Sequence, residues 1–207
     1  MPDLEFESVF HARGLLMIAG VDEAGRGPLA GPVAAAAVVL PPGFCCEGLD
    51  DSKKVPARRR EQLYDYITTH TAVLWAVSFV HEEEIDRINI LRATHKAMAR
   101  AVKSLRVAVD HCLIDGLRVP KFKWPHDGIV GGDGKSLSIA AASIIAKVSR
   151  DRRMHAFARE FPQYGFERHM GYGTKEHLAA LRQHGPCRIH RRSFQPVAQL
   201  QLPLDET

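Results

Sequence analysis

Short apolar runs that end at glycine, proline or an acidic residue predict the strands of this chain. The run from about Leu15 to Asp22 is apolar until glycine and charge stop it, which is typical of a buried strand. A second run, Val33–Leu40, is bounded by prolines and stands at a spacing that fits a hairpin with the first. Further strands are predicted at 71–80, 107–115 and near 129–130.

Apolar positions at helical spacing predict the segments between these strands. Ile85, Ile88, Met98 and Val102 fall on one face and predict an amphipathic helix. The predicted helices are 56–69, 83–106, 137–160 and 175–184, with a short arm at 1–13 and a glycine-studded loop at 164–174. Strands that alternate with helices after a leading hairpin predict an α/β fold, a mixed sheet covered by helices.

Composition narrows the class of protein. With 207 residues, 45% of them hydrophobic, the chain can form one sizeable core, so a single domain over 1–207 is expected. The net charge of +4 favours polyanionic partners moderately. Four cysteines without a C-x-x-C pair indicate reduced thiols and no zinc site. No signal region and no apolar run of ~20 residues is present, so a cytoplasmic protein without membrane contact is expected.

The stretch Gly20–Pro28 carries the first candidate chemistry. Asp22 and Glu23 stand where the first predicted strand leaves the core, and both can serve one site only if the strand ends there. Gly25 and Gly27 supply a break and allow a ligand to approach the backbone closely, while Arg26 adds a positive charge. The pattern fits a site for a phosphate and its metal ion. A strand end with two solvated acids and a glycine-rich turn would give the same pattern.

Two further acids repeat this arrangement. Asp115 ends an apolar run before glycine, and Asp133 stands just before a predicted helix. Ligands of open α/β sheets bind beyond the strand ends, so these acids could converge with Asp22 and Glu23. Carboxylates so close repel one another, and hard cations such as Mg²⁺ or Mn²⁺ would neutralise them. Taken singly, each could be an ordinary loop acid.

The glycine-rich run Gly131–Ser136 also invites comparison with a phosphate-binding loop. That motif needs a glycine five positions before its Gly-Lys pair, and Ile129 occupies the position. A nucleotide hydrolase of the phosphate-loop class is therefore disfavoured.

Six stretches, in the same order, resemble ribonuclease HII, the type 2 ribonuclease H of bacteria. They extend over about 15–197, and the Gly-Arg-Gly run favours this family over its ribonuclease HIII relatives. The stretches are Gly20–Pro28, Asp51–Lys54, Ile114–Gly116, Ala141–Asp151, Gly171–Leu178 and His190–Phe194.

The resemblance implies a fold and an activity. The fold would be a ribonuclease H-like, mixed five-stranded sheet flanked by helices, with a small helical extension at about 160–197 that contacts substrate and a flexible tail at 198–207. The activity would be endonucleolytic hydrolysis of the RNA strand of RNA/DNA hybrids. It would include incision 5′ of single ribonucleotides embedded in duplex DNA, using two Mg²⁺ or Mn²⁺ ions and leaving 3′-hydroxyl and 5′-phosphate ends.

The resemblance also assigns roles to single residues. The metal-binding catalytic acids would be Asp22, Glu23, Asp115 and Asp133. Substrate contacts would come from Gly25, Arg26 and Gly27 at the ribose 2′-hydroxyl, from Tyr172 on the following sugar, and from Lys53, Lys54, Ser143 and Lys147 at phosphates. Without the family, Tyr172 would be an anchor of its loop and each lysine ordinary solvated surface. Met170 departs from the family pattern, which usually has a lysine there.

An alternative function is a non-catalytic module that binds hybrids. Such a module would keep a basic surface but would not need the carboxylates.

A further partner is suggested near the end of the sequence, where Gln199, Leu200, Leu202 and Leu204 resemble the short peptides by which bacterial repair proteins bind the sliding clamp. An ordinary disordered tail with three leucines would give the same sequence pattern. The chain is expected to act as a monomer.

Overall fold

The computed structural model describes residues 1–201 and contains one mixed sheet of five strands in the order β3-β2-β1-β4-β5. β1 pairs antiparallel with β2 and parallel with β4; β2–β3 is antiparallel and β4–β5 parallel. The strands are β1 Ile18–Ala24, β2 Val33–Val39, β3 Leu74–Val80, β4 His111–Asp115 and β5 His126–Ile129. The predicted hairpin and mixed α/β sheet are confirmed.

Helices cover both faces of the sheet. The helices are α1 Glu5–His11, α2 Ala57–Thr69, α3 Glu82–Ile88, α4 Ile90–Ser104, α5 Leu137–Glu160, α6 Phe166–His169 and α7 Lys175–His184. The core on one face is formed with α4, and the core on the opposite face with α2 and α5. Because alternate residues of β2 enter the two cores, all seven of its side chains are buried. Among the described helices, none is both long and apolar enough to cross a membrane.

The prediction of an arm at 1–13 is wrong, because this segment contains α1. Phe10 packs with Ile18, Leu113 and Ile139 at one end of the sheet. The buried carboxylate of Glu7 accepts hydrogen bonds from Ser136 Oγ at 2.7 Å and from Ser138 N at 3.0 Å. These contacts place a negative charge at the positive end of α5 and fix the start of that helix.

The single helix predicted at 83–106 is also wrong. The chain breaks at Asn89, which has a φ of 67°, a conformation that asparagine tolerates better than most residues. Its Oδ1 accepts a hydrogen bond from Arg92 N at 3.1 Å and so caps α4.

Two other boundaries shift for local reasons. β4 begins at His111 rather than at 107, because Asp110 instead accepts hydrogen bonds from Leu16 N and Met17 N through its side chain. The predicted loop at 164–174 contains α6.

α5 lies unusually close to β1. A Cβ atom at Gly20 would come within 2.1 Å of the carbonyl carbon of Ser138, so only glycine fits there. This approach places the face of α5 that carries Ser143 beside the end of β1.

Candidate active site

Three carboxylates meet at one edge of the sheet. Asp22 lies near the end of β1, and Asp115 ends β4, which runs parallel beside it with Val21 opposite Ile114. Asp133 is supplied by a 3₁₀ turn, Gly132–Gly134, just before α5. One carboxylate oxygen from each of the three acids lies within 4.8 Å of the others. The convergence expected from the strand ends is therefore present for these three acids.

The electrostatics of this cluster favour a bound cation. Burial raises the pKa of Asp22 well above its usual value, and the charges of Glu23 and Asp115 raise it further. The pKa of Asp133 is also raised, by burial and then by the charges of Asp115 and Asp51. All of the donor atoms are carboxylate oxygens, which hard divalent cations prefer as ligands. A bound cation would also relieve the repulsion among the three carboxylates.

Glu23 lies beside the three acids rather than among them. β1 continues to Ala24, so the expectation that the strand ends at Asp22 is wrong, and neighbouring strand residues point to opposite faces. Glu23 Oε1 lies 3.5 Å from Arg26 Nη1. Burial raises the pKa of Glu23, and the positive charge of Arg26 partly offsets this. Glu23 and Asp115 line the same cleft, which has a volume of about 390 Å³.

A second cleft, of about 250 Å³, is also lined by Glu23. It gathers nearly all of the residues that the sequence predicted to contact substrate. These are Gly25, Arg26, Gly27, Lys53, Ser143, Lys147 and Tyr172. Lys54 lies outside the lining of this cleft, where its Nζ donates to Asp50 Oδ1 at 3.4 Å.

The polar groups of this cleft are held by their neighbours. Ser143 Oγ donates to Ser52 Oγ at 2.9 Å, and Lys147 pairs with Asp151 at 2.8 Å. Burial lowers the pKa of Lys53, but the charges of nearby acids, Asp51 first, outweigh that effect and raise it overall. Lys53 therefore remains a cation next to the acidic cluster.

Two buried arginines, to which the sequence patterns assign no role, support the Gly25–Gly27 loop. Arg191 donates to the carbonyl oxygens of Gly25 at 2.6 Å, Arg26 at 2.8 Å and Gly31 at 2.9 Å. Burial lowers its pKa to about 9, and the neighbouring charge of Arg150 contributes. Three carbonyl acceptors compensate for a buried guanidinium, whose planar fork matches them.

Arg150 supports the segment that follows the Gly25–Gly27 loop in the same way, through backbone carbonyls. It donates to the carbonyl oxygens of Ala30, Pro32 and Met170, and so ties the loop after β1 to the loop that carries Tyr172. Gly25 has a φ of +92°, and a Cβ atom there would lie 1.9 Å from Arg150 Nε. The glycine is thus required by its neighbour as well as by its conformation. Both arginines fall within the six motifs, but their carbonyl partners are distant in sequence and could not be inferred from it.

A chain of histidines fixes the backbone of Tyr172. His177 Nδ1 lies 2.9 Å from the carbonyl oxygen of Tyr172, and His177 Nε2 lies 3.0 Å from His190 Nε2. Cys187 N donates to His190 Nδ1 at 3.0 Å. Since a carbonyl only accepts, His177 carries its proton on Nδ1 and His190 on Nε2. Burial lowers the pKa of both histidines, that of His190 to about 4, so both rings are neutral near pH 7.

The side chain of Tyr172, unlike its backbone, is partly open to solvent. It is 45% exposed, and a Cβ atom at Gly27 would lie 3.6 Å from its Cε1. The tyrosine therefore presents a ring edge to the same cleft as the Gly25–Gly27 loop, on a backbone that the histidines hold in place.

Comparison with known proteins gives a consistent result. The family profile described as Ribonuclease HII matches residues 19–197. Ribonuclease HII of Burkholderia pseudomallei strain 668 is 55% identical over 183 residues, which is 88% of this chain and 85% of the relative.

Solved structures show the same likeness. Ribonuclease H2 from Pyrococcus horikoshii OT3 superposes with a TM-score of 0.74 at 25% identity, covering 88% of this chain and 96% of the other. The structure of the PCNA:RNase HII complex from Archaeoglobus fulgidus matches with a TM-score of 0.66 at 26% identity, over 81% and 88% of the two chains. With the acidic cluster and the cleft in place, the chain belongs to the ribonuclease HII family and has a ribonuclease H-like fold.

Proposed function

We propose that this protein incises duplex DNA on the 5′ side of single embedded ribonucleotides, leaving 3′-hydroxyl and 5′-phosphate ends. As a member of the family it is a metal-dependent ribonuclease H that acts on RNA/DNA hybrids. The observation that carries the finer proposal is the cleft of Gly25–Gly27 and Tyr172 beside the carboxylate cluster. A single ribonucleotide would fit in such a cleft with its phosphate toward the acids.

Divalent cations would be held by Asp22, Asp115 and Asp133, with Glu23 at the side. When bound there, a pair of Mg²⁺ or Mn²⁺ ions would activate the attacking water and offset the charge that develops on the leaving 3′-oxygen. The residues of the chain would position the substrate. Lys53 and Lys147 would offer ammonium groups to backbone phosphates, and Ser143 would offer its hydroxyl by exchanging Ser52 for a phosphate oxygen as its acceptor.

Selectivity for RNA depends on the 2′-hydroxyl, the group that distinguishes RNA from DNA at a given site. Because Arg191 fixes the carbonyls of Gly25 and Arg26, the loop offers the same backbone groups to every sugar that enters. Tyr172 would pack against the next sugar. A non-catalytic hybrid-binding module would have no use for a buried, mutually repelling set of acids.

The direct test is a gel assay on labelled duplex DNA with one ribonucleotide, in Mg²⁺, Mn²⁺ or EDTA. We expect a single cut 5′ of the ribonucleotide with either metal and none in EDTA.

Asp22→Asn should abolish the cut while duplex binding persists, because cationic contacts dominate affinity. Asp65→Asn, on the exposed side of α2, is the matched control and should cut normally. Full cleavage by Asp22→Asn at saturating Mn²⁺ would contradict the assignment.

Tyr172→Ala tests the substrate-sensing role. We expect a larger loss of incision at a single ribonucleotide than in a long hybrid, where other scissile positions compensate. Tyr172→Phe, which keeps the ring, should retain both activities. Equal losses on the two substrates would instead show that Tyr172 only supports its loop.

We further propose a contact with the bacterial sliding clamp through Gln199, Leu200, Leu202 and Leu204. Support comes from the related Archaeoglobus protein, solved in complex with PCNA, and from Leu200, which is 44% exposed. Positions 202–204 lie outside the described residues. Calorimetric titration of the full chain into the clamp should give roughly micromolar affinity, which Leu202→Ala and Leu204→Ala each abolish without changing hydrolysis in free solution. No heat at high concentration removes the proposal.

We also propose that the protein acts as a monomer in the cytoplasm. Light scattering during gel filtration and cell fractionation test the two statements.

A further inference from the structure

A lysine-rich groove lies apart from the cleft that holds Tyr172. It has a volume of about 430 Å³ and runs between α4 and the loop that joins β4 to β5. One wall is the loop segment Pro120–Trp124, and the other is a face of α4. The charged and aromatic groups that line it are His95, Lys96, Arg100, Lys103, Lys121, Phe122, Lys123 and Trp124.

The loop wall alternates basic and aromatic residues. Lys121 and Lys123 are exposed, whereas Phe122 and Trp124 turn inward and pack against the core on the α4 face. The two rings contact each other with their centroids 5.3 Å apart. Neither lysine forms an ion pair with any part of the chain that the structure describes. The aromatic residues therefore hold two uncompensated cations toward the groove.

The loop is held firmly in this shape. His126 Nε2 accepts a hydrogen bond from Val119 N at 3.2 Å, and Arg118 donates to the carbonyl of His126 at 3.1 Å. Lys121 has a φ of 58°, a strained conformation for lysine that persists only where the surroundings impose it. A rigid loop with its lysines exposed is suited to a fixed ligand surface.

The helical wall adds three cations, Lys96, Arg100 and Lys103, on one side of α4. Glu84 pairs with Lys96 and Arg100 and offsets one charge. Five Lys and Arg side chains facing one acid leave the groove strongly positive, which complements a polyanion.

The groove continues into the active site. His95, Val119 and Pro120 line both the groove and the cleft that contains Glu23, Arg26 and Asp115. Glu23 and Arg26 in turn line the cleft that contains Tyr172. A continuous path thus leads from the ribonucleotide side, past the acids, to the lysines.

We propose that this groove binds backbone phosphates of the duplex beyond the point of cleavage. The inference rests on the proposed function, because it places the rest of the substrate along the path that begins at the acids. Two exposed lysines on a rigid loop would each neutralise about one phosphate, adding affinity without reading sequence.

The test compares the wild type with Lys121→Gln/Lys123→Gln and with the control Arg58→Gln/Arg159→Gln. The control removes two exposed charges from α2 and α5, on the opposite face of the sheet. Binding to duplexes with one ribonucleotide is measured by fluorescence anisotropy in EDTA over a range of salt. A set of duplexes shortened on one side or the other of the ribonucleotide locates the contact.

For the lysine variant we expect about ten-fold weaker binding at low salt and a slope of log K against log salt reduced by about two, near 0.9 per phosphate lost. The loss should disappear when one of the two duplex arms is shortened, and single-turnover cleavage at saturating substrate should match the wild type. The control variant should keep a wild-type slope and a wild-type dependence on arm length.

An unchanged salt slope, or a loss that is the same for every arm length, would overturn the inference. A loss confined to single-stranded oligonucleotides would overturn it in favour of a single-strand site. If the wild type cleaves no ribonucleotide-containing duplex, the proposed function fails, while the binding comparison is read independently.

Discussion

At the scale of single residues, the site depends on two arginines as much as on its acids. The acids and the Gly-Arg-Gly run stood out as candidates because charge at a strand end and bare backbone have local signatures, and the family resemblance then assigned their roles. Arg191 and Arg150 could not, because their acceptors are backbone carbonyls 166 and 118 positions away in sequence. Glu23 lies outside the tight group of three, but it lines the cleft that contains Asp115 and its charge raises the pKa of Asp22, so its part in holding a metal ion stays a prediction.

Arg191→Lys tests this supporting role. Lysine keeps the charge but cannot reach three divergent carbonyls, so two buried acceptors lose their donor. We expect at least a ten-fold loss of incision and a free energy of unfolding lowered by about 2 kcal/mol. The increase in melting temperature on adding Mn²⁺ should persist, because the acids are untouched. Arg192→Lys, its exposed neighbour, should behave as the wild type; equal losses in the two variants would contradict the argument.

At the scale of elements, strongly periodic segments were predictable and tertiary-dependent ones were not. α5 carries a long apolar pattern and was placed correctly at 137–160. α1 has only seven residues, too few to form a helix alone in water, so its stability comes from packing that a sequence pattern does not reveal. The break at Asn89 was hidden because apolar positions continue on both sides of it.

Glu7→Gln tests the contact between α1 and α5. The carboxylate of Glu7 accepts three hydrogen bonds at the start of α5, and an amide would lose their charge assistance. We expect the free energy of unfolding to fall by about 1–3 kcal/mol, measured by urea denaturation. Glu5→Gln, exposed on the same helix, should change it by less than about 0.5 kcal/mol. A similar small change for both would show that α1 is not anchored through Glu7.

At the scale of the whole molecule, the acidic cluster lowers the stability of the metal-free folded state. The pKa of Asp22 is higher in the folded chain than its ordinary value of 3.8. Between pH 3.8 and the higher pKa of the folded state, the folded state therefore binds more protons than the unfolded state. The contribution of Asp22 to stability is present below pH 3.8 and is lost as pH rises through its folded pKa. A bound cation, which favours the ionised carboxylate, would reverse this loss.

Asp22→Asn should therefore stabilise the metal-free protein. Asparagine cannot ionise, so it does not carry the penalty that burial and neighbouring charges place on the Asp22 carboxylate, and we expect a melting temperature several degrees higher than that of the wild type in EDTA at pH 7.5. Mn²⁺ should raise the melting temperature of the wild type by mass action but have much less effect on the variant. Asp65→Asn should follow the wild type under both conditions. A lower melting temperature for Asp22→Asn in EDTA would show that Asp22 acts as a structural hydrogen-bond acceptor instead.

The position of β1 in the sheet has a consequence for the order of folding. Its antiparallel partner β2 follows directly in the chain, so the hairpin can form early. The parallel pairing of β1 with β4 must instead close a long loop. Met17 and Asp110, which are in contact at the start of this pairing, are 93 positions apart in sequence. Of the three clustered acids the hairpin carries only Asp22, with Glu23 beside it, and in this order of events Asp115 and Asp133 join at the later closure. Electrostatic repulsion among the three acids therefore opposes the last steps of assembly rather than the nucleus, and divalent ions present during refolding would act after the transition state, slowing unfolding more than they speed folding.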